Sequence, residues 1–294
     1  MKHKNLIIFI TLLVFSFDAK AWTACGTDKK GQTANCEYEI DDKGTLTIRA
    51  VGDNGSIGQW GQDTGTLAPW RGKGVKNVVI EEGIKDLGNH AFVQVQSTNP
   101  IKIPNSVTDI GYRAFFNVYT PEVIIPNTVT SIGEGAFNWS SIQKMDIPNS
   151  VTTIAGSFRG TNLQELVIPD SVQSIGNIAL SHCTKLKTLV ISDKTDLGKI
   201  FSYSDEEMMV DLDNLKIYCM GDTAQCNANL AAAGYTNLST IPTTTKKVNG
   251  MTYVYDSKGK LMTTYGNRLN KRIYTVEEAN MVSGKKNKVM IRYK

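Results

Sequence analysis

Histidine is scarce in this chain, and the common catalytic motifs are missing. The 294 residues include 3 histidines and 5 cysteines, and only His90 and His182 lie after residue 21. A histidine-based catalytic triad or a zinc site with several ligands therefore has few candidate members. The sequence also contains no G-x-S-x-G motif and no P-loop. We predict from these absences that the protein is not an enzyme and holds no metal or cofactor.

Long apolar runs are missing after residue 21, where no stretch approaches the roughly 20 apolar residues of a membrane-spanning helix. Before that point, Lys2 and Lys4 precede an apolar stretch, and Ala19-Lys20-Ala21 has the form of a cleavage site. We predict a secretory signal peptide over residues 1–21, cleaved after Ala21, with an uncleaved membrane anchor as the alternative. The mature protein is then expected to be secreted, at the cell surface or in the periplasm.

A repeat occupies the middle of the chain. A strand-like phrase of the form L-x-x-L-x-I, with other residues in place of Leu in some copies, recurs six times at steps of 21 to 23 residues. Pro-Asn-Ser-Val or a variant usually follows, and then Ile-Gly and an Ala-Phe pair. A period near 22 is typical of a solenoid, in which each copy stacks on its neighbours. The repeated isoleucines are Ile80, Ile103, Ile125, Ile147, Ile168 and Ile191.

The segments 103–115 and 125–137 follow the phrase I-P-x-S-V-x-x-I-G-x-x-A-F, the second with Thr in place of Ser. This phrase resembles the BspA-like leucine-rich repeats of bacterial surface and secreted proteins. The segment 42–48, the triplet Ala68-Pro69-Trp70 and the segment 78–80 also resemble the region that precedes the repeats in that family. The resemblance covers roughly residues 25 to 240. The resemblance implies a repeat fold and a role in binding at surfaces, and it identifies no catalytic residues.

The predicted fold is a β-rich leucine-rich repeat solenoid of about six repeats of 21–23 residues. Residues 22–74 form an N-terminal β cap, in which a hairpin from Cys36 to Arg49 turns at Asp41–Gly44. Residues 75–200 are the solenoid, and residues 201–245 contain the last repeat, a short helix from Asp222 to Ala233, and a linker at Ile241–Thr245. Residues 246–294 are predicted to be a small basic α+β domain, with a hairpin, a helix beginning near Thr275, and a final strand at residues 288–293.

All five cysteines lie after residue 21, which suits an oxidising compartment. Cys25 and Cys36 flank one short loop, and Cys219 and Cys226 flank another, so two local disulfides are the economical assignment. Cys183 is left over. It precedes Leu186 at a position where repeats of this kind commonly place a small buried residue, so we predict a packed free thiol.

Charge is distributed unevenly along the chain. Residues 246–294 contain 12 Lys and Arg against 3 acids, whereas residues 22–245 contain 17 against 24. The basic tail is predicted either to be solvated or to dock on an anionic polymer of the cell envelope. Nucleic acid is disfavoured as a partner, because a secreted protein seldom meets it.

The side chains that alternate with the core positions of each repeat strand should point to one open face. Four of its six central residues are apolar. Two interpretations remain open: the β-branched residues stabilise neighbouring strands, or the face is a mixed apolar and charged groove for a partner. Phe92, Phe115, Phe137 and Phe158, with Leu180 next, are predicted to be core. The candidate binding residues are Val79, Lys102, Glu122, Ile124, Lys144, Asp146, Glu165, Val167 and Val190.

The function predicted from these features is binding of another macromolecule, with a protein as the favoured partner, by a secreted or cell-surface repeat protein. The resemblance implies adhesion to a host or a neighbouring cell as the setting. The alternative is a structural scaffold of the periplasm or envelope that is anchored by its basic C-terminal domain.

Overall fold

The computed structural model describes residues 22–27, 33–61, 66–201, 210–248 and 251–266. Short strands dominate these ranges, and one helix, α1, spans Thr223–Ala232. The strands are β1 Thr23–Ala24, β2 Cys36–Ile40, β3 Thr45–Ala50, β4 Gly55–Ser56, β5 Asn77–Ile80, β6 Ile84–Asp86, β7 Ile101–Lys102, β8 Asp109–Ile110, β9 Val123–Ile124, β10 Ser131–Ile132, β11 Thr153–Ile154, β12 Glu165–Val167, β13 Ser174–Ile175, β14 Thr188–Ser192, β15 Lys216–Met220, β16 Thr240–Pro242, β17 Thr244–Val248, β18 Met251–Tyr255 and β19 Leu261–Gly266.

The repeats contribute strands to two parallel ladders. The first ladder is interrupted and contains the pairs β3–β5 and β7–β9 and the sheet β12-β14-β15-β16. The second ladder is a six-stranded sheet in the order β13-β11-β10-β8-β6-β4. Ile110, Ile132 and Ile154 lie side by side in it, one from each successive repeat. The 22-residue spacing of the sequence is therefore also the register of the sheet, which makes the fold a β-rich leucine-rich repeat fold.

A turn links the two ladders within each repeat, and in four repeats it begins at a proline. The carbonyl oxygen of Pro104 accepts a hydrogen bond from the backbone N–H of Val107 at 3.2 Å, and the Pro126, Pro148 and Pro169 carbonyls accept equivalent bonds. Proline fixes its own φ and donates no backbone hydrogen bond, so it suits the place where a strand ends and a turn begins. Each turn thus sends the chain from the first ladder to the second.

Stacked aromatic rings fill the core between repeats. The centroids of Phe92 and Phe115 are 5.0 Å apart, those of Phe115 and Phe137 are 5.4 Å apart, and those of Phe137 and Phe158 are 5.8 Å apart. All four rings are fully buried, and Leu180 is buried at the next position. The prediction that these residues form the core is confirmed. The stack also begins one step earlier, at Trp70, whose ring lies 6.1 Å from that of Phe92.

The glycine of the Ile-Gly pair is required because backbones approach each other closely. A Cβ atom added to Gly133 would lie 2.7 Å from the carbonyl carbon of Gly111 in the preceding repeat. Gly111 sits against the backbone of Gly88 and Asn89 in the same manner. Direct contact between successive turns, and not a bend at the glycine itself, therefore explains why this position lacks a side chain.

A second backbone feature recurs before each buried Ala-Phe or equivalent pair, where one residue has a left-handed conformation. The residue is Gly135 in one repeat and Gly156 in the next, with φ of +65° and +60°. In the following repeat it is Ile178, with φ of +53°. A β-branched residue is poorly suited to this conformation, because its Cβ atom crowds the following carbonyl group.

Replacing Ile178 with Asn is therefore expected to stabilise the protein by about 1 kcal/mol, since Asn tolerates the left-handed region. Gly156→Ala is the matched control and should destabilise by a similar amount, because it introduces the same crowding. Urea denaturation of both variants measures the effect. A loss of stability in Ile178→Asn as large as that in the control would show that strain at Ile178 is unimportant.

An antiparallel hairpin of β2 and β3 precedes the repeats, and its register pairs Tyr38 with Ile48 and Ile40 with Leu46. This is the hairpin predicted between Cys36 and Arg49. Cys25 and Cys36 form a disulfide next to it. Strand β3 continues into the parallel ladder through β5, so the hairpin is joined to the repeats by backbone hydrogen bonds.

Strand β15 and helix α1 follow the last regular repeat, as predicted. The Asp222 carboxylate accepts a hydrogen bond from the N–H of Ala224 at 2.9 Å and caps the helix. Cys219 in β15 and Cys226 in α1 form the second disulfide. Both predicted disulfides are therefore confirmed.

The prediction of a linker at Ile241–Thr245 is wrong. Its first residues belong to β16, which pairs in parallel with β15 so that Tyr218 lies beside Ile241. Its last residues begin β17, the first strand of an antiparallel sheet β17-β18-β19. The predicted hairpin at Met251–Met262 is present as β18 and β19. The predicted signal peptide, C-terminal helix and final strand lie outside the described residues.

Candidate binding face

The outward side of the first ladder contains a column of side chains, one from each repeat. Core residues such as Val78 and Ile80 point inward, so Val79 between them points outward. The register places Thr47 beside Val79, Lys102 beside Ile124, and Val167 beside Val190. We call this surface the strand face.

The exposure of the strand face changes along its length. Val79 is 45% exposed, Lys102 is exposed, and Ile124 and Asp146 are half-buried. Val167 is 8% exposed and Val190 is fully buried. The expectation that Val167 and Val190 are exposed is therefore wrong, while the first part of the column is open to solvent.

The sheet β17-β18-β19 covers the second part of the strand face. Val254 in β18 is fully buried and packs with Val167, Val190 and Met220, and Tyr218 lies against the same cluster. This cluster is separate from the main core. It forms because Thr252 and Val254 lie on one face of β18, and both are buried.

An ion pair joins the same two parts of the chain. The Lys247 ammonium lies 2.8 Å from the Asp170 carboxylate, and their side chains are 62% and 29% exposed. A pair this accessible to solvent contributes little free energy, on the order of 0–1 kcal/mol. Apolar burial around Val254 is therefore the main attachment of the sheet to the strand face.

The open part of the strand face has a depression of about 540 Å³ between β5 and β7. These strands are neighbours, but they belong to different hydrogen-bonded sheets. The Asn77 side-chain oxygen accepts a hydrogen bond from the Asn99 amide at 2.7 Å across the gap. Apolar, amide and charged groups surround the depression: Thr45, Asn77, Val78, Val79, Ile80, Glu82, Asn99, Pro100, Lys102 and Pro104.

Three of the candidate binding residues, Glu122, Lys144 and Glu165, flank the central column and alternate in charge. Glu122 is half-buried, and its backbone bridges to that of Lys144, which is exposed. Glu165 is also exposed, at the start of β12. The structure thus brings acidic and basic flanking groups alongside Ile124 and Asp146. The role of all these residues in binding stays a prediction.

Cys183 is fully buried and unbridged, as the sequence predicts. Its thiol donates a hydrogen bond to the Phe158 carbonyl oxygen at 3.0 Å and lies 3.4 Å from the Thr161 hydroxyl. Burial raises the pKa of the Cys183 thiol, and its hydrogen bonds offset this only in part. The thiol is therefore protonated at neutral pH, which suits a packing role and not a nucleophilic one.

No group of three or more His, Cys, Asp or Glu side chains is arranged to hold a metal ion within the part of the chain that the structure describes. Over the same residues, no helix has the length and apolar character needed to cross a membrane.

The family model described as BspA type Leucine rich repeat region (6 copies) matches residues 70–187 and 155–222. These matches span more than half of the sequence, so the chain belongs to the BspA-type leucine-rich repeat family. No curated protein matches the chain.

Several solved structures are similar to the chain, among them the following three. A leucine rich cell surface protein from Faecalibacterium prausnitzii has 13% identity and a TM-score of 0.30, over 66% of this chain and 95% of that chain. A leucine-rich repeat protein from Bacteroides ovatus has 14% identity and a TM-score of 0.26, over 66% and 79%. The pneumococcal vaccine antigen PcpA has 12% identity and a TM-score of 0.23, over 73% and 96%.

Proposed function

We propose that this chain is a secreted or cell-surface protein that binds another protein through the open part of the strand face. The observation that carries the proposal is the exposed column at Val79, Lys102 and Ile124 beside the depression between β5 and β7. Membership of the BspA-type family supports a role in protein interaction. Adhesion to a host or neighbouring cell is the setting that we propose.

The proposed architecture is a solenoid with an N-terminal cap formed by the β2–β3 hairpin. The hairpin supports this role because Leu46 and Ile48 are fully buried beside the first repeat. A stack of repeats needs such a cover, since its first copy would otherwise expose its apolar side to water. The two disulfides support a location outside the cytoplasm.

To test the proposal, immobilised protein (residues 22–294) is exposed to an array of purified serum and extracellular-matrix proteins. The amount of each protein that it captures is measured. Val79→Glu and Ile124→Glu should each reduce capture about tenfold or more, because a carboxylate replaces an apolar contact at the centre of the face. Thr130→Glu is the control, since Thr130 is exposed beside the second ladder. Equal capture by all three variants would overturn the assignment of binding to the strand face.

The alternative function, a scaffold anchored to the envelope, is supported by the way β17–β19 attaches the tail to the repeats. Residues 267–294 carry eight Lys or Arg against two acids. A truncation after Gly266 removes these charges and keeps the sheet that covers Val167 and Val190. If the full chain associates with the envelope at low salt and the truncated chain does not, the scaffold is favoured over the adhesin. High salt should remove this difference, because it screens the attraction between exposed charges.

A further inference from the structure

A second cavity, of about 270 Å³, lies among the turns of the first repeats and the segment that precedes them. It shares no lining residue with the depression on the strand face. Leu67 and Arg71 come from the preceding segment, and Tyr112, Arg113 and Phe116 come from the turn that follows β8. We call this cavity the turn-side pocket.

Two guanidinium groups border the turn-side pocket, and each is held in place by neutral neighbours. The Arg113 guanidinium lies over the Tyr112 ring at 4.9 Å from its centroid and over the Phe116 ring at 5.3 Å. Arg71 donates a hydrogen bond from Nη2 to the Gln94 side-chain oxygen. Aromatic and amide contacts orient a guanidinium without neutralising its charge.

Neither guanidinium has a carboxylate partner among the described residues. Arg49, by contrast, pairs with Glu37 at 2.7 Å, and Lys247 pairs with Asp170. None of the described residues that line the turn-side pocket is acidic. A described lining with two arginines and no acidic side chain is unusual for residues 22–245, where acids outnumber Lys and Arg by 24 to 17. Over the residues that the structure describes, the pocket therefore presents two positive charges and no acidic side chain at one concave site.

The rest of the lining is mixed, with polar groups on His90, Gln94 and Tyr112 and apolar side chains at Leu67, Ala68, Val93 and Phe116. Leu67 is 56% exposed at the rim, and Val93 and Phe116 are half-buried beside it. An ionised carboxylate only accepts hydrogen bonds, whereas each hydroxyl group of a sugar also donates one. The Arg71 and Arg113 guanidinium groups are donors only, so they match a carboxylate, and the apolar side chains beside them match an apolar group next to that carboxylate.

We infer that the turn-side pocket binds an acidic peptide segment, in which a Glu or Asp carboxylate meets Arg71 and Arg113 and a neighbouring bulky apolar side chain contacts Leu67 and Phe116. Arginine forms paired hydrogen bonds with a carboxylate, and its planar group is already oriented here. The size of the cavity suits one or two side chains of such a segment. This site is independent of the partner proposed for the strand face.

The test measures binding of a fluorescent peptide, acetyl-Gly-Glu-Leu-Glu-Phe-Gly-amide, to the mature full-length chain by anisotropy. The matched peptide with Gln in place of both Glu residues is the ligand control. Arg71→Gln and Arg113→Gln should each weaken binding of the Glu peptide by roughly tenfold or more, because each removes a charged hydrogen-bond donor. Arg159→Gln should bind normally, since Arg159 lies in a later repeat, over Trp139. Leu67→Ser should weaken binding of the Glu peptide while both arginines are retained.

Three results would overturn the inference. Equal binding of the Glu and Gln peptides would show that the carboxylates are not recognised. Wild-type affinity in both Arg71→Gln and Arg113→Gln would place the site elsewhere. Binding of a trigalacturonate probe together with no binding of the Glu peptide would assign the pocket to acidic sugars.

Discussion

Replacing Phe137 with Ala is expected to lower the free energy of unfolding by about 3–5 kcal/mol. Phe137 is fully buried, and its ring lies nearly parallel to those of Phe115 and Phe158, at interplanar angles of 8° and 6°. Removing the ring leaves a cavity between two repeats, and the backbone cannot close it because ladder hydrogen bonds hold the repeats at a set spacing. The loss should exceed that of most single substitutions.

Urea denaturation followed by circular dichroism measures this loss. Tyr119→Ala is a suitable control, because Tyr119 is 50% exposed and belongs to the same group of repeats. The control should change stability by only about 0.5 kcal/mol. A Phe137→Ala protein as stable as the control would mean that the rings do not carry the contact between repeats.

The second large effect is expected at Val254, where substitution by Asp should release β17–β19 from the strand face. Val254 is fully buried against Val167, Val190 and Met220. A carboxylate among these side chains would have no partner, and an uncompensated buried charge costs about 3–5 kcal/mol. The sheet should therefore detach, with its docking equilibrium shifted by roughly a hundredfold to a few thousandfold.

Limited trypsin digestion detects the release, since Lys246 and Lys247 lie in β17. New cleavage at these lysines should appear in Val254→Asp while the repeats keep their circular dichroism spectrum. Tyr253→Asp is the matched control on the other face of β18, where the side chain is only half-buried. Unchanged cleavage in Val254→Asp would contradict the docking described here.

Release of the sheet would also enlarge the strand face. Val167 and Val190 would become accessible beside Ile241 and Tyr218, which continue the same column through β15 and β16. If the proposed partner binds along the whole column, Val254→Asp should increase capture. The array experiment with this variant therefore reports how far the binding surface extends.

Residues that repeat at a fixed spacing could be predicted from the sequence. Phe115 and Phe137 occupy the same place in successive copies, so their burial and stacking follow from the period alone. The Cys219–Cys226 disulfide and the cap at Asp222 are also local, because only a few residues separate the partners. Each of these predictions depends on the order of neighbouring residues and on the stacking of equivalent ones.

The cover over Val167 and Val190 could not be predicted in this way. Alternation along β18 indicates that Thr252 and Val254 share a face, but it does not say which surface that face meets. Val79 and Val190 occupy equivalent places in their repeats, and yet one is 45% exposed and the other is fully buried. The turn-side pocket was missed for a similar reason, since Leu67, Arg71 and Arg113 come from separate segments.

The sequence by itself determined the repeat, its period, the core positions, the two disulfides and the unequal distribution of charge. These features arise because each copy places the same residue types at the same points of the turn, and stacking then brings equivalent residues together. Only the tertiary structure decided which part of the strand face stays open and that Arg71 and Arg113 line one pocket. Both depend on contacts between segments far apart in the chain, and those contacts are set by the complementarity of whole surfaces, which no local pattern specifies.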